Sequence, residues 1–563
     1  MYIAPNSKVR LIKNCPLDNG YEHTLFFHSP GGQEYYFQTT LTGYLFENMS
    51  YVRVNKGVIR VQMNAEYLYN CNYMCFQNTS FGNKWFYAFV TKVEYINNVT
   101  TEINFELDIL QTWHFNYRIP ACFVERTHAS TDVAGDNLVP EGVETGDYVA
   151  QTSGRDLELE ALSLVIATTF KPGPDGFVNV EGGTYSELFT GLHYLVYPMG
   201  YYPLDPLDPY YDPDHAGEYG PDLAAEFLLN ATELGKSSGI VSVFLMPRCF
   251  VTDEGPAQFV KRHIYTTAKV TSGTIDGYTP KNNKLFTYPY NFLYVANQQG
   301  NSGVYPYEFF SGASCQFDVA GDMSPNPSVV LQPMNFKGIL VNADEKMVLS
   351  GYPQLPYNID AFKAWLAMNA ANIAVDALSN GLTAVTGIAT GNFGGAVQGL
   401  MGFMRMGAER YQHEIMPPQS KGGGGAITAC ALRIQNFLFI RKTIRAEFAR
   451  IIDDFFTVFG YAQHKIMQPS RKVRTEWTYL KTVNCKIEPG YPDDCVAQQT
   501  PPEAGLPADD ARRIEQIYNT GITFWMNGAH MGDYTLNNAI VSVSNGNSNQ
   551  SEGGGAGGQT AEP

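Results

Sequence analysis

The chain has 563 residues, 44% hydrophobic and 13% aromatic, with 17% charged residues and a formal net charge of −17. Its length exceeds one core, so several domains are expected, and the aromatic, Asn, Gly and Pro richness leans towards β structure with long loops. The acidic balance argues against a surface that grips nucleic acid, because phosphate binding needs clustered Lys and Arg. DNA that slides past without sticking remains compatible with it.

Nine scattered cysteines include no CxxC pair. Free buried thiols in a protein made in a reducing cytoplasm are therefore expected rather than a zinc site. The N-terminal "MYIAPNSKVRLIKN" lacks an apolar core for a secretory signal.

Residues 1–128 read as β. In "TEINFELDILQTW", Ile103, Phe105, Leu107 and Ile109 alternate with Glu102, Asn104, Glu106 and Asp108, the mark of a strand with one buried face. "GNKWFYAFVTKVEYINNVTT" supplies a partner, with "INNVTT" as the turn. Two readings stand for Glu102, Glu106 and Asp108: a solvated sheet face, or an acidic face turned to a lumen.

From 129 to 328 the chain is rich in Pro, Gly, Asp and Tyr. "YYPLDPLDPYYDPDHAGEYGPD" (201–222) reads as a rigid surface loop, since Pro blocks helix interiors and central strands. The spacing of Asp205, Asp208, Asp212 and Asp214 does not follow a calcium-loop pattern. "PDLAAEFLLNATELGKS" (221–237) reads as a helix. Its "GKS" is not a phosphate loop, because a helix precedes it and Asn230 replaces the first glycine.

Strands return over 329–350, and "YPQLPYNIDAFKAWLAMNAANIAVDAL" opens a helical run. From Ala377 to Met404, 28 residues carry no charge. Gly387, Gly391, Gly395 and Gly399 fall every fourth residue, so a helix would carry them as one smooth strip, the small-xxx-small pattern of membrane helices. Gly381, Leu382, Val385, Ile388, Phe393, Val397, Leu400, Met401, Phe403 and Met404 complete the candidate membrane-inserting segment. As helix, 377–404 extends roughly 42 Å, beyond a hydrocarbon thickness of about 30 Å. Thr383, Thr386, Thr390, Asn392 and Gln398 make it a poor permanent span. It suits conditional insertion, with a buried interdomain helix or an interface loop as the plainer alternative. Tyr352–Asn358 and Pro417–Gly425 are candidate hinges.

"LRIQNFLFI" (432–440) reads as a strand. A helix follows, its apolar face drawn from Ile444, Phe448, Ile451, Ile452, Phe455, Phe456 and Phe459, and Gly460 ends it. Strands "YAQHKIMQP" and "RTEWTYLKTVNCKI", a helix near 509–519 and a last strand "GITFWM" complete the fold. The Gly- and Ser-rich tail is expected to be disordered. No HExxH, GxSxG or GxGxxG motif occurs in a fitting context, and His114 and His128 read as structural. A non-enzyme without metal or cofactor is expected.

Three blocks carry a family resemblance. They are "YLYNCNYMCFQNTSFGNKWFYAFVTKVEY" with "INFELDILQTWHFN" (67–116), "PPQSKGGGG" through "RKVRTEWTYLKTVNCKI" (417–487), and "IYNTGITFWMN" (517–527), with "YPYNFLYV" (288–295) as a fainter match. The chain resembles the tail-knob (distal tail tube) proteins of short-tailed bacteriophages of the phi29 type, over its first 130 residues and 350–540. The resemblance implies a virion protein that forms a homohexameric tube with β-barrel domains around a DNA channel. It also implies long apolar loops, here about 365–420, that plug the channel and emerge to form a pore in the host membrane. Implied partners are other copies of the chain, an upstream tail tube or lower collar protein, a tail-tip lysin, the host membrane, and DNA passing without sequence-specific binding. A receptor-binding or cell-wall-degrading tail protein is the alternative, with the Tyr-rich middle as its home.

The expected fold class is mainly β, a multidomain tail-tube β-barrel protein with a long apolar glycine-rich loop, assembling into a ring or tube. Its expected parts are an N-terminal tube domain (1–128), middle outer or distal β domains (129–328), return strands (329–360), a membrane-active loop (361–425), a C-terminal tube domain (426–540) and a disordered tail (541–563).

Overall fold

The computed structural model describes residues 6–541 except 365–436 and shorter stretches, of which 50–56, 155–161, 249–259, 338–346 and 497–504 are the longest. The chain divides into two compact units, one of residues 1–144 with 450–563 and one of 145–449. The N- and C-terminal parts, expected as two separate domains, are therefore halves of one.

In this first unit, strands β1 (Ser7–Lys13), β2 (His23–Leu25), β3 (Gly43–Met49), β4 (Val58–Val61), β5 (Cys71–Gln77), β6 (Phe86–Asn97) and β7 (Thr100–Leu107) lead to a short helix α1 (Ile109–Trp113) and to β8 (Cys122–Thr127). After the second unit come helix α2 (Ala446–Phe459), β9 (Tyr461–Met467), β10 (Trp477–Val483), α3 (Ala508–Thr520) and β11 (Ile522–Trp525). One sheet has the order β3-β1-β5-β6-β7-β4. Among the described residues it is open, ending on β3 and β4 rather than closing on itself as a barrel. The second sheet, β2-β11-β10-β8-β9, interleaves strands from both ends of the chain. That interleaving makes them one unit, because neither set buries its apolar residues without the other. Val9, Leu11, Ile103 and Phe105 share a buried cluster with Leu480, Tyr518 and Phe524.

The β6–β7 hairpin follows the alternation in its sequence. Thr101, Ile103 and Phe105 point inward while Glu102, Asn104 and Glu106 meet solvent. The Asn97 side chain accepts from Val99 N–H and holds the two-residue turn. The strand nevertheless ends at Leu107, where the sequence pattern continued to Trp113. Asp108 accepts from the Gln111 N–H at 3.1 Å and starts α1 instead.

Helix α2 buries Ala449, Ile452, Asp453 and Phe456. Ile451, assigned to the apolar face by spacing, is 65% exposed, and Ile444 belongs to the preceding strand, Leu438–Ile444. The stop is as expected. Gly460 has φ +66, and a Cβ there would lie 2.4 Å from the carbonyl carbon of Thr127 and the amide nitrogen of His128. Gly460→Ala is expected to lower stability by roughly 2–4 kcal/mol, read as an earlier urea midpoint, because the strain falls on fixed backbone.

Among the described residues the second unit holds three four-stranded sheets. Strand Leu438–Ile444 lies centrally in one of them, between Tyr148–Gly154 and Asn291–Ala296. Another sheet contains Leu162–Thr168, Ile240–Pro247 and Gln354–Leu355. Helix Gly220–Glu233 buries Ala224, Leu228 and Ala231 in the core of this unit. The described residues of 201–219 form a loop, closed by a bridge between Tyr201 and Tyr219, with Asx turns at Asp205 and Asp212, while the last three residues of the stretch expected as loop, 220–222, open the helix.

Candidate functional site

The uncharged segment, with every position named from Gly381 to Met404, lies outside the described residues, as do the Pro417–Gly425 hinge and the C-terminal tail. What the structure describes is how the segment is anchored. On the entry side, Asn358 caps a helical turn over 359–364 through the Asp360 N–H, and Phe362 is fully buried. On the exit side Phe437 is equally buried, and the chain joins the central strand Leu438–Ile444. Phe362 and Phe437 belong to the same apolar cluster. The residues that bracket 365–436 thus rest in one core. Within the Tyr352–Asn358 hinge, Tyr352 is buried and Leu355 pairs with Val243, while 353, 356 and 357 lie outside the described residues. Among the described residues no helix is long and apolar enough to cross a membrane.

The candidate acidic face is the solvent side of β4, β6 and β7. Glu94 and Glu102 stand directly opposite one another across β6 and β7, an unfavourable like-charge pairing. Counter-charges relieve it: Arg60 Nε donates to Glu102 at 2.8 Å, and Lys92 pairs with Glu94. Glu106 pairs with Arg513 of α3 at 2.9 Å. These pairs are exposed and screened by solvent, so they contribute little to stability. Glu102 and Glu106 lie on one face as expected, but that face alternates in charge.

Asp108 does not join them. It is 1% exposed and accepts from Gln111 N–H and from the Tyr73 hydroxyl at 2.9 Å. Burial pushes its carboxyl up to about 7, against hydrogen bonds from Gln111, Tyr73 and Leu110 that lower it. A lumen-facing role for Asp108 is therefore excluded. Strand periodicity assigned it to the solvent side, and the helix cap turned it inward.

One buried charge pair had no sequence signal. Arg471, in the β9–β10 connection, is 1% exposed and grips Asp494 with Nε at 3.0 Å and Nη2 at 2.6 Å, while Asp494 accepts from the Arg471 N–H at 3.0 Å. Its Nη1 donates to the His114 carbonyl, and the guanidinium lies 5.2 Å from the centre of the Phe26 ring. Burial alone would raise the Asp494 carboxyl, but the Arg471 charge and hydrogen bonds leave it at about 2. The pair ties three irregular segments to one point. Both loops lack periodicity, so no window of sequence marks it.

His114 and His128 are structural. His114 Nε2 meets the Phe27 backbone, and His128 bridges Thr457 O and Tyr479 N–H. Burial pushes each ring down to about 3, so both stay neutral. The described cysteines are free, and all but Cys495 are buried. Among the described residues no group of His, Cys, Asp and Glu is placed to hold a metal ion.

Residues 258–539 match the family model of the C-terminal domain of the Bacillus phage phi29 tail knob protein gp9, and 5–118 match that of the caudoviral major tail protein N-terminus. Tail knob proteins gp9 of Bacillus phages B103 and PZA are each 24% identical, over 94% and 95% of this chain and 98% of their own. These alignments also take in the middle region, which the recognisable sequence blocks had left out. The solved tail knob protein gp12 of bacteriophage C1 shares the fold at a TM-score of 0.59 and 12% identity, covering 95% of this chain and all of that one. With a family model matched over half its length and relatives matched over nearly all of it, the chain belongs to the phi29 gp9-type tail knob proteins, structural components of the phage tail.

Proposed function

We propose that this tail knob protein forms the distal DNA-ejection conduit, and that its apolar segments plug the channel until released to penetrate the host cell membrane. The observation that carries this is the uncharged run 377–404 with its four-residue glycine repeat, in a chain of the tail knob family. Phe362 and Phe437, which bracket the segment, rest in one core, so release of 365–436 leaves that core intact. The polar face with Glu102 and Glu106 turns to the channel, and its mixed charges neither attract nor trap passing phosphates. Copies assemble as a homohexameric ring or tube, joined to an upstream tail tube or lower collar protein, with a tail-tip lysin as a further partner.

Dye release from liposomes tests the penetrating segment. The full chain is expected to release the dye under releasing conditions, and a 377–404 deletion that still assembles is expected to release none. Equal leakage from both proteins overturns the proposal.

A further inference from the structure

Cys122 opens β8, and Cys485 follows β10 by two residues. The two strands pair with Thr482 opposite Val124 and Val483 opposite Phe123, so the cysteines flank the end of one ladder. Asn484, at φ +52, turns the chain there. Asn519 fixes the turn by accepting from the Cys485 N–H at 3.1 Å and from the Thr482 hydroxyl at 3.0 Å. One step beyond the Phe123–Val483 pair, Cys122 meets the turn at Asn484, next to Cys485, and both thiols belong to one buried cluster. Neither is part of a disulfide in this structure.

We infer that Cys122 and Cys485 are a disulfide-forming pair, joined once the assembled tail leaves the reducing cytoplasm of the host. This rests on the family membership, which places the chain in a virion. Dissolved dioxygen is the oxidant. Two S–H bonds break and one S–S bond forms, and the two electrons and two protons reduce dioxygen to hydrogen peroxide. The Cys485 thiol beside it holds the Cys122 thiol below its usual range and so favours the thiolate, the form that is oxidised. Cys122 is also the nearer of the two to solvent, at 9% exposure against 1%.

The link has structural reach. It joins the N-terminal half of the first unit to its C-terminal half, across a loop that contains all of 145–449. A crosslink closing so long a loop restricts the unfolded chain strongly. It would hold the interleaved sheet together while leaving 365–436 unconstrained.

The full-length protein, purified under reductant and then oxidised in air, tests this. Blocking free thiols with N-ethylmaleimide in denaturant before trypsin digestion is expected to leave peptide 119–126 joined to peptide 482–486. Seven of the nine thiols should take the label. The melting temperature is expected to rise by about 5 °C or more and to return on adding dithiothreitol. Cys122→Ala is expected to abolish the shift, while peptide mapping of the unaltered protein decides the matter even if that variant folds poorly. Nine labelled thiols after oxidation, or Cys122 and Cys485 each joined to a different cysteine, overturn the inference. Detection of the chain in purified virions tests the family placement separately.

Discussion

Replacing Arg471 with methionine is expected to lower the stability of the first unit by about 3–5 kcal/mol, the usual cost of stranding one partner of a buried ion pair. Tryptophan fluorescence in a urea titration reads this well, because Trp85, Trp113, Trp477 and Trp525 all lie in that unit. Lysine is not an adequate substitute, since a point charge cannot reproduce the fork that meets both Asp494 oxygens and the His114 carbonyl. The double variant Arg471→Met with Asp494→Asn is expected to recover part of the loss, because no charge is then left buried and unpaired. The pair also has a pH signature. The Asp494 carboxyl is depressed to about 2 from 3.8, so its contribution is complete above pH 4 and is lost as the pH falls towards 2. An Arg471→Met protein as stable as the parent would show that the three segments are held without the pair.

Asp108 is expected to give the opposite pH dependence. Its folded carboxyl titrates at about 7 against an ordinary 3.8, so the folded state holds the proton more tightly than the unfolded chain. Stability from this group is complete below the ordinary value and is lost as the pH rises to about 7, at up to about 1.4 kcal/mol per pH unit. Urea midpoints of the native protein between pH 5 and 7 are expected to fall relative to those of Asp108→Asn, which keeps the cap but cannot ionise. Parallel curves for the two proteins would remove Asp108 as the source. Asp108→Ala is expected to cost about 3 kcal/mol or more below pH 4, and less as the pH rises towards 7. It loses the helix cap and leaves the Tyr73 hydroxyl and the Gln111 N–H buried without this acceptor.

These two carboxylates mark where sequence reasoning works and where it stops. The alternation through Glu106 placed the β6–β7 hairpin correctly, because a half-buried strand writes its burial with a period of two. One residue later the same pattern assigned Asp108 to solvent, and a helix cap overruled it. Capping competes with strand continuation on near-equal local terms, and packing against Tyr73 and Tyr21 decided between them. Helix α2 shows a similar limit. Its amphipathic spacing and the stop at Gly460 were plain, yet which side of the stripe is buried depends on the neighbours, so Ile451 faces solvent.

What the sequence determined by itself is whatever a short window encodes: the hairpin, the helices, the glycine stop, the uncharged run 377–404, and the motif blocks that announced the tail knob family. The tertiary structure alone decided the pairings between distant segments. It set β8 beside β10, Arg471 against Asp494 and Cys122 against Cys485, and it made one unit of two chain ends. The reason is physical: a local pattern records which face of an element is buried, whereas the partner that buries it is chosen by packing across hundreds of residues.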